Sequence, residues 1–191
     1  MKTAVYFDYI PSPLGAMVLA SDGDALTGAW FEGQRYQPPV DPAWQRRREL
    51  PVLRRAAMEL AQYFAGDRTW FELPLAPAGT PFQRAVWNAI AGVPYGETIS
   101  YRELAALAGR PRSIRAAGVA TGRNPLSIVI PCHRVVAVDG ALTGYAGGLA
   151  RKRALLELER AVVATASAQR AAGGLVAAPA RAAMPGSASA C

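Results

Sequence analysis

The chain has 191 residues, 51% of them apolar, which is enough for one large domain or two small ones with a substantial core. The formal net charge of +7 is unevenly spread: residues 1–79 carry a net −1, residues 80–159 a net +5 and residues 160–191 a net +3. No apolar run approaches a membrane span, the N-terminus is a poor secretory signal, and two cysteines form neither a disulfide framework nor a four-ligand zinc site.

These properties predict a cytoplasmic protein with no membrane association, no bound metal and no disulfide framework. The excess of positive charge in residues 80–159 is what a polyanionic partner such as nucleic acid requires. An arginine-rich composition also arises from genome composition alone, so charge by itself does not identify the partner.

The first third of the chain predicts β-strands followed by one helix. Three short runs are apolar or alternating and are separated by Pro, Gly and Asp: residues 4–10, 15–23 and 25–33. A helix is predicted between Pro51 and Gly66, because proline favours a helix start and glycine a helix end. Its predicted apolar face consists of Leu53, Ala57, Leu60 and Phe64. The proline-rich segment 73–79 then predicts a domain boundary.

Two capping-box patterns open helices in the second part of the chain. Thr80 is followed by Gln83, with a proline at the first helical position, and Ser100 is followed by Glu103. Each pattern lets a hydroxyl and a longer polar side chain satisfy backbone N–H groups at a helix start.

A helix-turn-helix is predicted between residues 100 and 122. Gly109 ends the helix that Ser100 opens, and after a short turn Ser113 can cap a second helix over residues 114–122. Arg115 then lies near the start of this second helix, the element that usually contacts DNA in such a motif.

The stretch SIVIPCHRVVAVDG, residues 127–140, is the most strand-like of the chain and contains its one histidine, His133. The preceding residue, Cys132, is the one cysteine outside the last position. A thiolate is a nucleophile and an imidazole can take its proton. Neighbouring side chains point to opposite faces of a strand, so the pair requires a turn after Pro131 or a bridging water.

The residues themselves leave the role of this pair open. Five acids of the basic segment could orient the imidazole: Glu97, Glu103, Asp139, Glu157 and Glu159. A lone Cys–His pair is more typical of a small buried hydrophobic residue beside a hydrogen-bonded core histidine. A cysteine hydrolase is disfavoured, because nucleophile and base are dispersed along the chain in those enzymes.

The last part of the chain changes composition. Residues 151–163 have the pattern of a helix, and from Ala164 onward few large apolar residues remain. We therefore expect residues 164–191 to form a disordered Ala-rich tail.

The sequence resembles a known family over roughly residues 5–159. The block NPLSIVIPCHRVVAVDGALTGYAGGLARKRALLELE, residues 124–159, is similar to the active-site block of the O6-alkylguanine-DNA alkyltransferases, also called methylated-DNA–protein-cysteine methyltransferases, and its IPCHRV core is highly specific. Residues 80–118 resemble the helix-turn-helix region of that family, and residues 12–34 its small N-terminal β domain.

The resemblance implies an α+β fold, with a small N-terminal β-sheet domain that includes a helix and a mostly helical C-terminal domain with a helix-turn-helix. Residues 1–79 would form a ribonuclease H-like β/α domain and residues 80–163 the DNA-binding and alkyltransferase domain. The implied activity is DNA repair by direct, irreversible transfer of a methyl or alkyl group from O6-alkylguanine, and from O4-methylthymine, to Cys132. Each molecule would act once, without a cofactor, as a monomer on double-stranded DNA.

The resemblance also implies roles for individual residues. His133 takes the proton of Cys132 through a water, Glu159 orients His133, Asn124 braces the turn before the active site, and Tyr101 donates a hydrogen bond to the purine. Arg115 inserts into the stack where the flipped nucleotide was, with the recognition helix in the minor groove. Further candidate DNA contacts are Arg102, Ser113, Arg123 and Arg134, and the backbone of four residues lines the guanine pocket: Val135, Tyr145, Ala146 and Gly147. The zinc site of some relatives has no ligand set in this sequence.

Two alternatives use the same DNA-binding element. A damage sensor binds alkylated bases without transfer, and such relatives lack the cysteine that Cys132 supplies here. A helix-turn-helix regulator would prefer one DNA sequence and keep Cys132 as a structural residue.

Overall fold

A four-stranded sheet forms the first part of the protein, for which a computed structural model describes residues 4–172. The strands are β1 (Tyr6–Ile10), β2 (Met17–Ser21), β3 (Leu26–Phe31) and β4 (Gln45–Arg46), in the spatial order β3-β2-β1-β4. Strands β1 to β3 are antiparallel neighbours, and β4 lies parallel to β1. The three predicted strands are confirmed; β4 was missed because it is two exposed polar residues with no apolar alternation.

Helix α1 (Pro51–Ala65) packs on this sheet and ends at Gly66, whose φ of 83° is the left-handed conformation that glycine adopts without strain. Its buried face is rotated from the predicted one. Ala57 and Phe64 are only half-buried, and the buried residues are Val52, Leu53, Ala56, Glu59, Leu60 and Tyr63.

The second part is mainly helical. It contains α2 (Pro81–Ala91), α3 (Tyr101–Leu107), α4 (Ile114–Gly122), a short 3-10 helix (Cys132–Arg134) and α5 (Leu149–Ala172). Two short strands, β5 (Ile99–Ser100) and β6 (Val135–Val136), pair in parallel and join the start of α3 to the residues after the 3-10 helix. The α+β class is confirmed. None of the helices within residues 4–172 is long and apolar enough to cross a bilayer.

Both predicted capping boxes form. The Thr80 hydroxyl accepts from the backbone N–H of Gln83 at 3.2 Å, and the Gln83 side chain accepts from the N–H of Thr80 at 2.9 Å. Ser100 and Glu103 make the same reciprocal pair at 3.2 and 2.7 Å. Ser113 is the N-cap residue of α4, but its side chain makes no capping hydrogen bond, so this part of the prediction is wrong.

Helix α5 extends beyond the predicted end of the folded chain. It continues to Ala172, so residues 164–172 belong to a helix and not to a disordered tail. Alanine has the highest helix propensity, and an Ala-rich segment with little to bury can therefore still prolong a helix that packing has already started. The rest of the predicted tail, residues 173–191, lies outside the described residues.

One continuous apolar cluster includes side chains from both parts of the chain. It contains Leu19 and Phe31 of the sheet, Trp87 of α2, Cys132 of the 3-10 helix and Leu155 of α5. The backbone also crosses between the parts, because Ala29 on β3 donates its N–H to the carbonyl of Pro125 and accepts from Ser127, both at 2.8 Å. The segment that leads to Cys132 is therefore held against the edge of the N-terminal sheet.

Candidate active site

Cys132 and His133 lie on a 3-10 helix that Pro131 precedes, and not on a strand. The apolar run before them turns sharply at Ile128, whose φ of 72° is rare for a β-branched residue. Apolar content alone does not distinguish a buried strand from a buried turn, which explains the wrong strand prediction. For Cys132 and His133 to pair, the sequence required either a turn after Pro131 or a bridging water. The structure has the turn.

Asn124 fastens this turn to the cysteine. Its buried side-chain Nδ2 donates to the carbonyl of Ile130 at 2.8 Å and lies 3.1 Å from Cys132 Sγ, and its Oδ1 accepts the N–H of Leu126 at 3.0 Å. A single amide therefore fixes the backbone before Cys132 and directs an N–H at its sulfur.

Glu159 on α5 is the acid that meets His133. The two side chains are fully buried, and Glu159 Oε1 lies 2.8 Å from His133 Nε2. The same carboxylate accepts from the Tyr63 hydroxyl at 2.8 Å, from the Gly96 N–H at 3.0 Å and from the guanidinium of Arg134, whose Nε and Nη2 each lie 2.9 Å away. Of the five acids left open by the residues alone, Glu159 is the one hydrogen-bonded to the imidazole.

The charges and hydrogen bonds around Glu159 determine the protonation state of the His133 imidazole. Burial opposes the ionised form of Glu159, but hydrogen bonds from His133 and Arg134 and the charge of Arg134 outweigh it and lower the pKa of Glu159 to about 2. Burial lowers the pKa of His133, and the carboxylate only partly offsets it. A neutral His133 beside an ionised carboxylate carries its proton on Nε2. Its Nδ1 is then a buried acceptor, and it has no hydrogen-bond partner among residues 4–172.

A buried lysine lies near the thiol. Lys152 on α5 has no exposed surface, and its Nζ donates to the carbonyls of Val135 at 2.6 Å and Thr143 at 2.8 Å. Burial raises the pKa of the Cys132 thiol, while the hydrogen bond from Asn124 and the charge of Lys152 act in the opposite direction. Burial lowers the pKa of Lys152 itself to about 8.

The residues predicted to line a base pocket lie in two segments, one directly after the 3-10 helix and one in the loop over residues 143–148. The hydroxyl of Tyr101 donates to the carbonyls of Thr143 and Gly144 at 3.1 and 3.2 Å. Val135 begins β6 directly after the 3-10 helix, and the half-buried Tyr145 and Ala146 lie in the loop that follows. Tyr101 therefore joins the start of α3 to the loop over residues 143–148.

The predicted DNA contacts fall into two groups. Arg102, Arg115 and Arg123 are exposed, on or directly after the two helices of the helix-turn-helix, and Ser113 is half-buried between those helices. Arg134 is different: it is buried and its guanidinium donates to Glu159 and, at 2.7 Å, to the carbonyl of Val93. The prediction that Arg134 contacts DNA is therefore wrong, because its donors are committed inside the protein.

The sequence did not predict that Tyr63 and Lys152 belong to this site, nor that Arg134 binds Glu159 inside the protein. Tyr63 lies in an apolar helix pattern 96 residues from its partner Glu159, and no local signal marks it. Lys152 stands in a basic triplet, Arg151-Lys152-Arg153, which is typical of a solvated surface. The spacing on α5 offers one signal, since Lys152 and Glu159 are seven residues apart and so share a helix face with the buried Leu155 and Leu156.

Comparison with known proteins identifies the family. The family model described as "6-O-methylguanine DNA methyltransferase, ribonuclease-like domain" matches residues 5–77, and the one described as "6-O-methylguanine DNA methyltransferase, DNA binding domain" matches residues 81–161. The methylated-DNA–protein-cysteine methyltransferase of Haemophilus influenzae is 45% identical over 159 residues, which are 83% of this chain and 88% of the relative. The one from Methanosarcina barkeri is 44% identical over 155 residues, 81% of this chain and 97% of the relative.

Solved structures support the same family assignment. The crystal structure of the Mycobacterium tuberculosis O6-methylguanine methyltransferase is 44% identical, with a TM-score of 0.75, and the match covers 82% of this chain and 93% of that one. A structure of the M. tuberculosis protein in complex with DNA gives a TM-score of 0.76 at 43% identity, over 82% of this chain and 94% of that one. The chain therefore belongs to the 6-O-methylguanine DNA methyltransferase family.

Proposed function

We propose that Cys132 is the residue of this chain that accepts the alkyl group, from O6 of an alkylated guanine in double-stranded DNA. As a member of its family the chain is a DNA-binding methyltransferase that repairs DNA by direct alkyl transfer. The observation that carries the assignment is the buried Cys132 sulfur, which has the Asn124 amide 3.1 Å away. The next residue in the chain is His133, which is hydrogen-bonded to Glu159.

The transfer is a single displacement at carbon. Cys132 Sγ attacks the alkyl carbon, the S–C bond forms as the C–O6 bond breaks, and the electron pair of the broken bond goes to the guanine. The proton of the thiol goes to His133 Nδ1 through one bridging water, and Glu159 holds the opposite ring nitrogen so that Nδ1 presents its lone pair. A thioether is a poor leaving group, so the product is stable and each molecule reacts once.

Tyr101 assists the leaving base. Its hydroxyl now donates to carbonyls of the loop over residues 143–148, and in the complex it donates a hydrogen bond to the purine and helps it accept a proton. The backbone of Val135 and of Tyr145 to Gly147 lines the guanine pocket. Backbone contacts of this kind recognise the base edge with little dependence on the side chains that accompany them.

The DNA-binding mode follows from the position of the reacting atom. O6 of guanine lies inside the base stack, so an in-line attack requires the nucleotide to be flipped out. Helix α4 enters the minor groove, Arg115 fills the position of the flipped base, and Arg102, Ser113 and Arg123 contact the DNA around it. The minor groove has a degenerate base code, which suits a protein that must act in any sequence context.

The two parts of the chain form two domains in this proposal. Residues 1–79 form the ribonuclease H-like domain and residues 80–163 the DNA-binding and alkyltransferase domain, and the protein acts as a monomer in the cytoplasm. The matches of separate family models to residues 5–77 and 81–161 support the division.

The test is intact-mass spectrometry after incubation with duplex DNA that carries one O6-methylguanine. We expect one added methyl group per protein molecule, mapped to the Cys132 peptide, none with undamaged DNA and none in the Cys132→Ser variant, which still binds DNA. Cys191 serves as an internal control, because its peptide must stay unmodified.

Other outcomes assign other functions. No mass change in reduced, folded protein, together with preferential binding to alkylated DNA, would make the chain a damage sensor. Binding to one DNA sequence regardless of alkylation would make it a helix-turn-helix regulator. Either result contradicts the proposed acceptor role of Cys132.

A further inference from the structure

Two arginines from distant parts of the chain meet on one tyrosine ring. The guanidinium carbons of Arg35 and Arg123 lie 4.7 and 4.2 Å from the ring centroid of Tyr36. All three residues are exposed, and neither arginine has an acidic partner within residues 4–172. We call Arg35, Tyr36 and Arg123 the arginine–tyrosine cluster.

The loop that carries Tyr36 is held in a strained conformation. The φ of Tyr36 is 67°, which an aromatic residue rarely adopts and which costs free energy unless surrounding bonds enforce it. Those bonds are present: Gln37 N–H donates to the Gln34 carbonyl at 3.2 Å, and Gly33 N–H donates to the Gln37 side chain at 2.7 Å. Strain maintained in this way is more often found at binding sites than in plain surface loops.

The strained loop reaches two parts of the proposed DNA site. Its ring lies over the end of α4, where a Cβ atom on Gly122 would sit 3.8 Å from Tyr36. Its backbone contacts the loop over residues 143–148, because Arg35 N–H donates to the carbonyl of Ala146 at 3.0 Å. A loop of the N-terminal part therefore joins the recognition helix to the pocket.

The charges of the cluster point to its ligand. Two guanidinium groups on one ring repel each other, and an anion bound near both reduces that repulsion. Guanidinium groups donate in a fixed fork that matches phosphate oxygens. The N-terminal part, residues 1–79, has a net charge of −1, yet it places a cation beside the basic DNA-binding part.

We infer that the arginine–tyrosine cluster binds phosphate groups of the same DNA duplex whose alkylated base enters the pocket, which extends the DNA interface onto the N-terminal part of the chain. This inference rests on the proposed function for the identity of the duplex. Arg115 and Arg123 are eight residues apart, a rise of about 12 Å along a helix. With α4 lying along the groove, the cluster contacts the backbone about three to four nucleotides from the flipped base.

The test is the salt dependence of binding, because each lost phosphate contact lowers the slope of log K against log salt by about 0.9. Variants Arg35→Gln and Arg123→Gln are measured in the Cys132→Ser background, on duplexes with and without O6-methylguanine. We expect each variant to reduce the slope by about 0.9 and to weaken binding by about 3- to 30-fold at low salt. Arg35→Lys should restore most of the slope, since it keeps the charge.

Two controls make the result specific. Arg54→Gln removes an exposed arginine of α1 that forms no ion pair in the described part of the chain, and it should leave the slope unchanged. Tyr36→Gly relieves the unusual φ and removes the ring, so it should weaken binding through lost positioning without a change of charge. A slope for Arg35→Gln equal to that of Arg54→Gln would overturn the inference, even where Arg123→Gln lowers the slope, because the proposed function already places Arg123 against the DNA.

The outcome is separable from that of the proposed function. Methyl transfer by the unmutated chain is scored by mass alone, and the binding slopes are measured in a variant that cannot react. Failure of transfer with altered slopes would reject the Cys132 assignment and keep the cluster as a DNA contact. Transfer with an unaltered slope for Arg35→Gln would reject the cluster and keep the assignment of Cys132.

Discussion

Lys152 is a fully buried cation without a carboxylate partner among the described residues, its Nζ bonded only to the carbonyls of Val135 and Thr143. Removing an ammonium group from water is costly unless other groups compensate. Two neutral carbonyls and the Tyr101 ring, whose centroid lies 5.9 Å from Nζ, compensate only in part. Such a group is more often kept for a function than for stability. Here its charge acts to lower the pKa of the Cys132 thiol, and its hydrogen bonds hold together the two backbone segments that begin at Val135 and end at Thr143, next to the proposed guanine pocket.

Replacement of this lysine should change the pH dependence of transfer. We expect Lys152→Met, in a Cys191→Ser background, to raise the pKa of Cys132 and to slow single-turnover methyl transfer at pH 7 by about tenfold or more. The pKa of Lys152 is about 8, so its charge is present below that pH and lost above it. The deficit of the variant should therefore be largest below pH 8 and should narrow above it.

Arg153→Met removes a neighbouring exposed cation and should leave the pH profile unchanged. A uniform loss of rate at every pH in Lys152→Met would indicate that the lysine only holds the backbone, and it would contradict the electrostatic role.

The sequence predicted the proposed reacting pair, Cys132 and His133, but not the side chains that surround it. Cys132 and His133 are adjacent, so a local pattern reveals them, and the family resemblance selected Glu159. The partners of Glu159 come from Tyr63 and Gly96, 96 and 63 residues away in the chain. Contacts at such separations depend on how α1 and α5 pack, and no local pattern encodes that packing.

Helix starts were predictable at the scale of single elements, because a capping box is a local pattern of two side chains three residues apart. Both boxes form as predicted. The failure at Ser113 is also local in origin: its φ of −103° and ψ of 40° differ from the extended conformation that Thr80 and Ser100 adopt, and its hydroxyl caps nothing.

This difference predicts unequal effects of the same substitution on the two helices of the helix-turn-helix. Ser100→Ala removes a hydroxyl that accepts the N–H of Glu103, and it should lower the free energy of unfolding by about 1 kcal/mol. Ser113→Ala removes no capping bond, and it should change that free energy by less than about 0.5 kcal/mol. Urea unfolding of both variants, followed by circular dichroism, measures the two values. Equal losses would show that the cap of α3 contributes nothing beyond an ordinary surface serine.

The active site is a property of the whole molecule, since both parts of the chain build it. From the N-terminal part, Tyr63 donates to Glu159, Gln34 accepts from the hydroxyl of Ser127 at 3.0 Å, and Phe31 packs against the loop that contains Gly147. The division of the sequence near residue 79 therefore marks a change of secondary structure and not a break in the core.

A cut between the two parts should leave them associated. The connector near Ala78 is exposed, so a protease site inserted there can be cleaved in the folded protein. We expect the two fragments to co-elute on size exclusion and to keep methyl transfer, because the shared apolar cluster and the Ala29 hydrogen bonds to Pro125 and Ser127 remain. The fragment 80–191 produced alone should aggregate or lack near-ultraviolet dichroism, since it exposes the face that β3 and α1 cover and leaves the Glu159 carboxylate without the Tyr63 hydroxyl. Separation of the cleaved fragments, with full transfer by fragment 80–191 alone, would show that the N-terminal part is dispensable for the active site and would contradict this view of the molecule.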